Sequence, residues 1–459
     1  MCPHRYMPNA SPKTVHRMLD DMGLQNIESL FSDIPSRFRL GKLRGIPDAH
    51  SEAEVRERIS RRLERNAKLI CPPFLGGGTW PHYVPAVVEE IVHRAEFLTS
   101  YTPYQAEISQ GILQALFEYQ SLVCELVGLD VANASMYDWS SSVGEAARMC
   151  SRLTRRNQFI VPKLMHPERL KVLQSYAEPA AIKVSTTGFD KVTGQMDLDS
   201  LSNQVTEDTA GIYVENPSYL GYFEEAVNEI SNIAHDSGAL FVVGVDPISL
   251  GISRAPGEYG ADIVVGEGQP LGNAMNFGGP LLGLFACRGD PEVVRQMPGR
   301  IVGLTQTSEG DRGFCITLQT REQHIRRERA TSNICTNEAL LAVAGAVYLS
   351  LLGPNGLRKL GEQVISRSNY ALRRLSRLSG LKAPLFEASH FKEFTIRLDQ
   401  EKTYAELHKA LLRKGIHGGK YLSTDFPDFG ESALFCVTEI HSRNSIDTLV
   451  DAVEEELGK

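Results

Sequence analysis

Positive charge is in short supply in this 459-residue chain. Lys+Arg is 48 against Asp+Glu 56, a formal net charge of −8 with a pI near 5.9. A nucleic-acid-binding protein needs a basic stripe or patch, so that class has no support in the composition. Mean hydropathy is −0.19 and no uncharged apolar run of spanning length stands out, so no transmembrane helix is expected. The start, Met-Cys-Pro-His-Arg-Tyr, has no basic segment leading into an apolar one, so no secretory signal is expected either. The eight cysteines (Cys2, Cys71, Cys124, Cys150, Cys287, Cys315, Cys335 and Cys436) form no close pair. Their spacing argues against a disulfide framework or a cysteine-based zinc site and suits a reducing cytoplasm. His93 and His324 lack the His-Glu-x-x-His pattern of a zinc helix, and no metal site is expected.

Lysine is the sharpest shortage. The chain has 15 lysines and 33 arginines, and no lysine lies between Lys191 and Lys359, although ten arginines do. The gap is not a loss of positive charge but a loss of primary amines.

What remains is ordinary globular material, 42% hydrophobic and 23% charged. Ser11-Pro12 reads as a helix N-cap with proline at the first helical position. Ser51 and Glu54 form a capping box, after which Val55, Ile59 and Leu63 repeat on one narrow stripe. A further helix is expected over 106–127. From residue 157, short apolar runs at 158–161, 181–185, 211–214, 240–245, 263–265 and 281–286 alternate with helical patterns such as 222–234. That alternation predicts a largely parallel sheet covered on both faces. After Thr336 two helical stretches flank a break at Leu352-Gly-Pro-Asn-Gly356, followed by strands at 391–398 and 433–440 and helices at 403–414 and 445–457. We therefore expect a helical arm over 1–100, a large α/β domain over 101–335 and a small C-terminal α+β domain over 336–459.

Five segments could carry chemistry. Gly76-Gly-Gly78 is followed by Thr-Trp-Pro rather than Gly-Lys-Ser/Thr, so it reads as a turn and not a phosphate loop. The sign-alternating run Arg321 to Arg329 suits a solvated or interface-facing helix. Tyr101-Thr-Pro-Tyr-Gln105 sets two phenols and an amide around a proline turn, where they could bind a ligand or simply cap nearby carbonyls. Asn133 to Ser142 precedes a helix whose N-terminus could hold an anion or be capped by Ser140 or Ser141. Asp246 ends a strand, where ligands of open α/β sheets bind, but an aspartate before proline also starts turns.

Long, irregular segments identify a resemblance. They include His4-Arg-Tyr-Met-Pro-Asn-Ala-Ser11, Tyr101-Thr-Pro-Tyr-Gln105, Asp130-Val-Ala-Asn-Ala-Ser-Met-Tyr-Asp138 and Pro256-Gly-Glu-Tyr-Gly-Ala-Asp-Ile-Val-Val-Gly-Glu-Gly-Gln-Pro270. Gln296-Met-Pro-Gly-Arg-Ile-Val-Gly303 and Leu318 to Glu328 belong with them. From end to end the chain resembles the first subunit of the two-subunit P-protein family of the glycine cleavage system, a glycine dehydrogenase (decarboxylating). Asp138-Trp139-Ser140 departs from the family's usual Asp-Gly, which leaves the shape of that loop open.

The resemblance implies a pyridoxal-phosphate fold of the aspartate aminotransferase type (fold type I), with a large mainly parallel sheet and a small C-terminal domain. It also implies a complex that decarboxylates glycine, releases CO2 and passes the aminomethyl group to the lipoyl arm of the H-protein. In such a fold the lysine that anchors the cofactor follows the strand after the aspartate strand. Here that region, 261–271, contains no lysine. Arginine cannot form the Schiff base, because its guanidinium stays protonated and delocalised. The resemblance thus implies that no catalytic residue acts in this chain alone and that no cofactor is covalently anchored in it. Asp246 would survive where the carboxylate facing the pyridine nitrogen would sit. Pyridoxal phosphate is expected in the partner, subunit 2, in a heterodimer that doubles to α2β2. Tyr101, Tyr104 and Gln105 are the candidate cleft contributors, with Asn133 and Ser135 beside them. Two alternatives stay open: a stand-alone enzyme using Lys183 or Lys420, and a scaffold that contributes nothing to the cleft.

Overall fold

The computed structural model describes residues 6–41, 44–66, 68–276, 278–399 and 402–458. Cys2 and the first residues of the leading motif, His4 and Arg5, lie outside the described residues. Met1–Asn66 and Ala67–Lys459 are separate compact units. In the first, helix Pro12–Asp21 is capped by Ser11, whose hydroxyl accepts from the Thr14 amide, and helix Glu52–Leu63 carries the expected Ser51–Glu54 box. The Val55, Ile59 and Leu63 stripe is 47–53% exposed, and Leu19 is the only buried hydrophobic residue described in this unit.

The second unit is built on seven strands: β1 (Val131–Ala132), β2 (Gln158–Pro162), β3 (Lys183–Thr187), β4 (Thr209–Glu215), β5 (Leu240–Val245), β6 (Ile263–Glu267) and β7 (Gly283–Cys287). They lie in the order β1-β7-β6-β5-β4-β2-β3. Strands β2 to β6 are mutually parallel, and β7 alone runs against its neighbours β6 and β1. Side chains alternate across such a strand. Ile212, Val214, Phe241 and Val243 pack on one face with helices Gln110–Val127 and Val227–Asp236. Tyr213, Val242, Ile263 and Val265 pack on the other with helices Trp139–Thr154 and Pro167–Ala177. Burial on both faces is why these strands read as continuous apolar runs.

A hairpin follows, β8 (Ile301–Gln306) with β9 (Arg312–Thr317), and then a four-stranded antiparallel sheet. Its strands are β10 (Leu381–Lys382), β11 (Glu393–Leu398), β12 (Lys420–Tyr421) and β13 (Ser432–Cys436), in the order β10-β11-β13-β12. Helices Tyr404–Arg413 and Arg443–Leu457 pack on it.

Four expectations change. The helix expected over 222–234 starts at Val227, because Phe223 donates to the Ser389 carbonyl and Tyr222 bridges His390. The strand expected to reach residue 440 ends at Cys436. The 321–329 run is not one helix: only a single turn, Gln323–Arg326, forms before Arg327 adopts φ 55°. Finally, an uncharged run of spanning length does exist at 339–357, inside helix Ala339–Leu375, whose length and composition would suffice to cross a membrane. Gly353 breaks it at φ 57°, as the Gly-Pro pair predicts. Its residues Ala342 and Val343 join the core cluster of the large sheet.

Candidate functional site

The carboxyl ends of β5 and β6 are where this topology places ligands. Asp246 follows β5 and is 3% exposed. Its Oδ1 accepts the Ile248 amide (3.1 Å), the turn expected from the sequence. Its Oδ2 is held at 2.7 Å by the ammonium of Lys392, itself 2% exposed, from the residue before β11. The same ammonium lies 3.1 Å from His82 Nε2 and 3.6 Å from the centre of the Trp80 ring. Burial, then the charge of Lys392, push His82 down from its ordinary range. An ammonium can only donate, so His82 Nε2 accepts from Lys392, and Nδ1–H donates to Glu439 (2.8 Å).

Trp139 closes the other side. It opens helix Trp139–Thr154, whose N-cap is Asp138 and not Ser140 or Ser141; Asp138 accepts the Ser141 amide at 2.6 Å. The indole lies against β5 at Gly244, where an added Cβ would come within 2.7 Å of it, so the bare backbone makes room. It donates to the Tyr213 hydroxyl (2.9 Å), and the Arg169 guanidinium lies 3.4 Å from its ring centre. Arg169 pairs with buried Glu215 at 2.8 Å. Glu267, at the end of β6, accepts the amides of Gln269 and Leu282 (both 3.0 Å) and of Trp139 (3.2 Å). Burial nonetheless pushes its carboxyl up to about 7.

Away from this cavity, the Tyr101 to Gln105 segment is an exposed edge. Tyr101 is 81% exposed, and its hydroxyl has no hydrogen-bond partner among the described residues. Gln105 is also exposed. Tyr104 is tied down: its hydroxyl accepts from Arg300 (2.9 Å) and donates to Glu322 (3.1 Å). Burial raises the Tyr104 phenol, with Arg300 opposing the shift. Arg300 is buried and makes no ion pair among the described residues; its other arm reaches Asn337 (3.4 Å). Asn337 in turn donates to Ser135 Oγ (3.3 Å), which also accepts the Glu338 amide (2.9 Å). Asn133 donates to the Pro298 carbonyl (3.1 Å). Tyr104, Asn133 and Ser135 thus meet around the Pro298–Arg300 segment, with the last two buried beneath the edge. Asp246 belongs to the separate, internal cluster.

Gly76-Gly-Gly78 is a turn: the Gly77 amide donates to Glu393 (2.6 Å) and Gly78 takes φ 124°. Lys183 stands at the start of β3, the sheet edge opposite Asp246. Lys420 is engaged by Tyr219 (2.9 Å) and Asp425 (3.4 Å). No group of three His, Cys, Asp or Glu among the described residues could hold a metal ion.

A family model described as glycine cleavage system P-protein matches residues 4–453. The chain belongs to that family. A probable glycine dehydrogenase (decarboxylating) subunit 1 of Pyrococcus furiosus is 51% identical over 455 residues, covering 98% of this chain and 99% of that protein. The one from Staphylothermus marinus is 48% identical over 460 residues, 98% of each. A crystal structure of glycine decarboxylase (P-protein) of the glycine cleavage system, in inhibitor-bound form, matches with a TM-score of 0.90 at 38% identity, covering 98% of this chain and 100% of that one. Glutamate decarboxylase of Lactobacillus brevis, at 13% identity, shares the fold with a TM-score of 0.72 over 92% of this chain and 96% of its own. The fold is the type I class of pyridoxal-phosphate enzymes that the resemblance implies, and the relatives' name, subunit 1, implies a partner subunit.

P-protein membership raises the question of whether this chain's residues fit pyridoxal phosphate. They do not. Small-molecule sites are usually cavities of about 300–1,000 Å³. The space among Trp80, Trp139, Arg169, Asp246 and Lys392 is about 10 Å³, scarcely one water. Asp246 already holds an ammonium, Glu267 takes the amide at the helix start, and 261–271 offers no amine. Lys392 and Arg169 were missed in the sequence, where a charge inside Phe391-Lys-Glu-Phe394 was the one signal for the lysine.

Proposed function

We propose that this chain is the subunit of a glycine-decarboxylating complex that carries no cofactor and completes the cleft of one that does. The observation supporting this reading is the filled cavity: a P-protein family chain whose own site has no room for a cofactor, no lysine in 261–271, and its one lysine amine already held by Asp246. In this reading subunit 2 binds pyridoxal phosphate through its lysine, the two chains form a heterodimer within an α2β2 assembly in the cytoplasm, and glycine is the substrate. Held there, pyridoxal phosphate would supply an electron sink for the pair left when the glycine carboxylate departs as CO2. The aminomethyl group then goes to the lipoyl arm of the H-protein.

This chain's part is played at its edge. Tyr101 is the free donor that reaches the partner's cleft, with Gln105 as a second polar contact. Tyr104 sets the edge in place, since its proton is committed to Glu322 and its oxygen to Arg300. Asn133 and Ser135 brace that edge from below. Exposed Tyr101, Ile108, Leu304 and Ile325, on the same segment or on those joined to it, supply apolar surface for the partner. The three parts proposed for the chain are the arm 1–100, the large domain 101–335 and the small domain 336–459.

The test is reconstitution. Glycine decarboxylation by subunit 2 should require this chain and fall when Tyr101 is changed to Phe. Full activity of subunit 2 alone would favour the scaffold reading. Full activity of this chain alone, with a borohydride-trappable lysine adduct of pyridoxal phosphate, would favour the stand-alone enzyme.

A further inference from the structure

The filled cavity holds more than a steric block. Its contents have the chemistry of what they exclude: a cation on the carboxylate that ends β5, and an aromatic plate, Trp139, beside it. Lys392 is not a surface lysine folded inward by chance. It has its three needs met inside the protein, an anion in Asp246 Oδ2, a neutral acceptor in His82 Nε2 and an aromatic face in Trp80. A buried ammonium survives only when it is paired and hydrogen-bonded to this degree, and the indole face adds to the attraction.

The groups come from separate parts of the chain. Asp246 ends a strand of the seven-stranded sheet, while Lys392 leads into β11 of the four-stranded sheet. His82 and Trp80 lie on the extended segment between them. That segment is bound to the small sheet by Glu439 with His82 and by Cys436 with Phe74, and to the large one by Gln269 with Trp80.

From this arrangement we infer that Lys392 is the resident cation of the former cofactor cavity: it neutralises Asp246 permanently and, through that pair, ties the small sheet to the large one. Naming this space a former cofactor cavity rests on the function proposed above; the Lys392–Asp246 tie itself does not, and its failure would leave the partnership untouched.

Chemical rescue in the full-length chain tests it. Lys392→Ala should lower the thermal midpoint by roughly 10 °C, as for a buried charge that has lost its partner. Butylammonium in the tens of millimolar range should recover most of that loss, and butanol at the same concentration should not. Equal recovery by butanol would show that Lys392 only fills space and would overturn the inference. Should Lys392→Ala fail to fold, the pair Lys392→Met with Asp246→Asn decides. The double variant should fold and be more stable than Lys392→Met alone, and a double variant no better than the single would overturn the ion-pair role. Hydrogen exchange on the double variant tests the tie. Protection should fall in β11 and the 72–83 segment while β4 and β5 keep theirs, whereas an even loss across both sheets would overturn it.

Discussion

Two regions of this chain have opposite characters. At the carboxyl ends of β5 and β6, where the fold class binds its cofactor, the polar side chains are buried and partnered: Asp246 with Lys392, Arg169 with Glu215, His82 with Glu439, and Glu267 with three backbone amides. At the Tyr101 to Gln105 edge, a phenol and an amide stand in solvent, and the buried guanidinium behind them has no carboxylate of its own among the described residues. The contrast teaches that the internal cluster is held by its own contacts, while the polar groups open to solvent lie on the outside, where a second chain can meet them.

That comparison makes separable predictions: internal substitutions should cost stability, and edge substitutions should cost activity. The largest effect is expected from Arg169→Met, which strands Glu215 in the interior and should cost about 3–5 kcal/mol in denaturant unfolding. A loss below 1 kcal/mol would mean that the interior is not matched in the way described.

Glu267 gives the next effect, through pH. Burial pushes its carboxyl up to about 7 in the folded chain, from an ordinary value of 4.5. A folded pKa raised this way contributes stability that is full below 4.5 and is lost as pH rises through about 7. Relative to Glu267→Gln, the native chain should therefore gain on the order of 3 kcal/mol between pH 8 and pH 4.5. Parallel stability–pH curves for the two proteins would contradict the assignment. The comparison must be made between variants, because buried His166, His390 and His441, with pKa values lowered to about 3, 4 and 4, act in the opposite sense. Their stability is present above the unfolded histidine pKa and lost as pH falls.

At the edge, Tyr101→Phe should leave the unfolding curve unchanged and lower turnover of the reconstituted complex by about 10–100-fold, the size of one lost charge-assisted hydrogen bond. Tyr104→Phe should lower it by much less, since that hydroxyl already serves Arg300 and Glu322. The reverse order would exchange their roles. The smallest effect is expected from Ile108→Ser, 80% exposed in this chain. It should weaken association with subunit 2 by about tenfold and leave folding alone, as seen by sedimentation of the mixture.

Most of the large sheet was legible from sequence because double-sided burial writes itself as apolar runs: 240–245 is read as the strand found, and its five companions lie within a few residues of theirs. The β8–β9 hairpin was not, because β8 passes from buried Ile301 to exposed Gln306 and presents no steady alternation. The edge residues were visible as chemical types around a turn. Their division of labour was not, since Tyr104 takes its role from Arg300 and Glu322, both remote in sequence. Lys392 was the hardest to see, one charge in an apolar stretch whose meaning depends on an aspartate in another sheet. The lysine gap pointed at the absence of an anchor. Only the contacts of Lys392 show what stands in its place.

The most direct test of the central claim is an absorbance titration of this chain and of subunit 2, separately and mixed, with pyridoxal phosphate, followed by borohydride reduction and glycine turnover. The account predicts no cofactor band and no reduced adduct on this chain, a band and adduct on subunit 2, and glycine decarboxylation only in the mixture. A stoichiometric, reducible adduct on a lysine of this chain would contradict it.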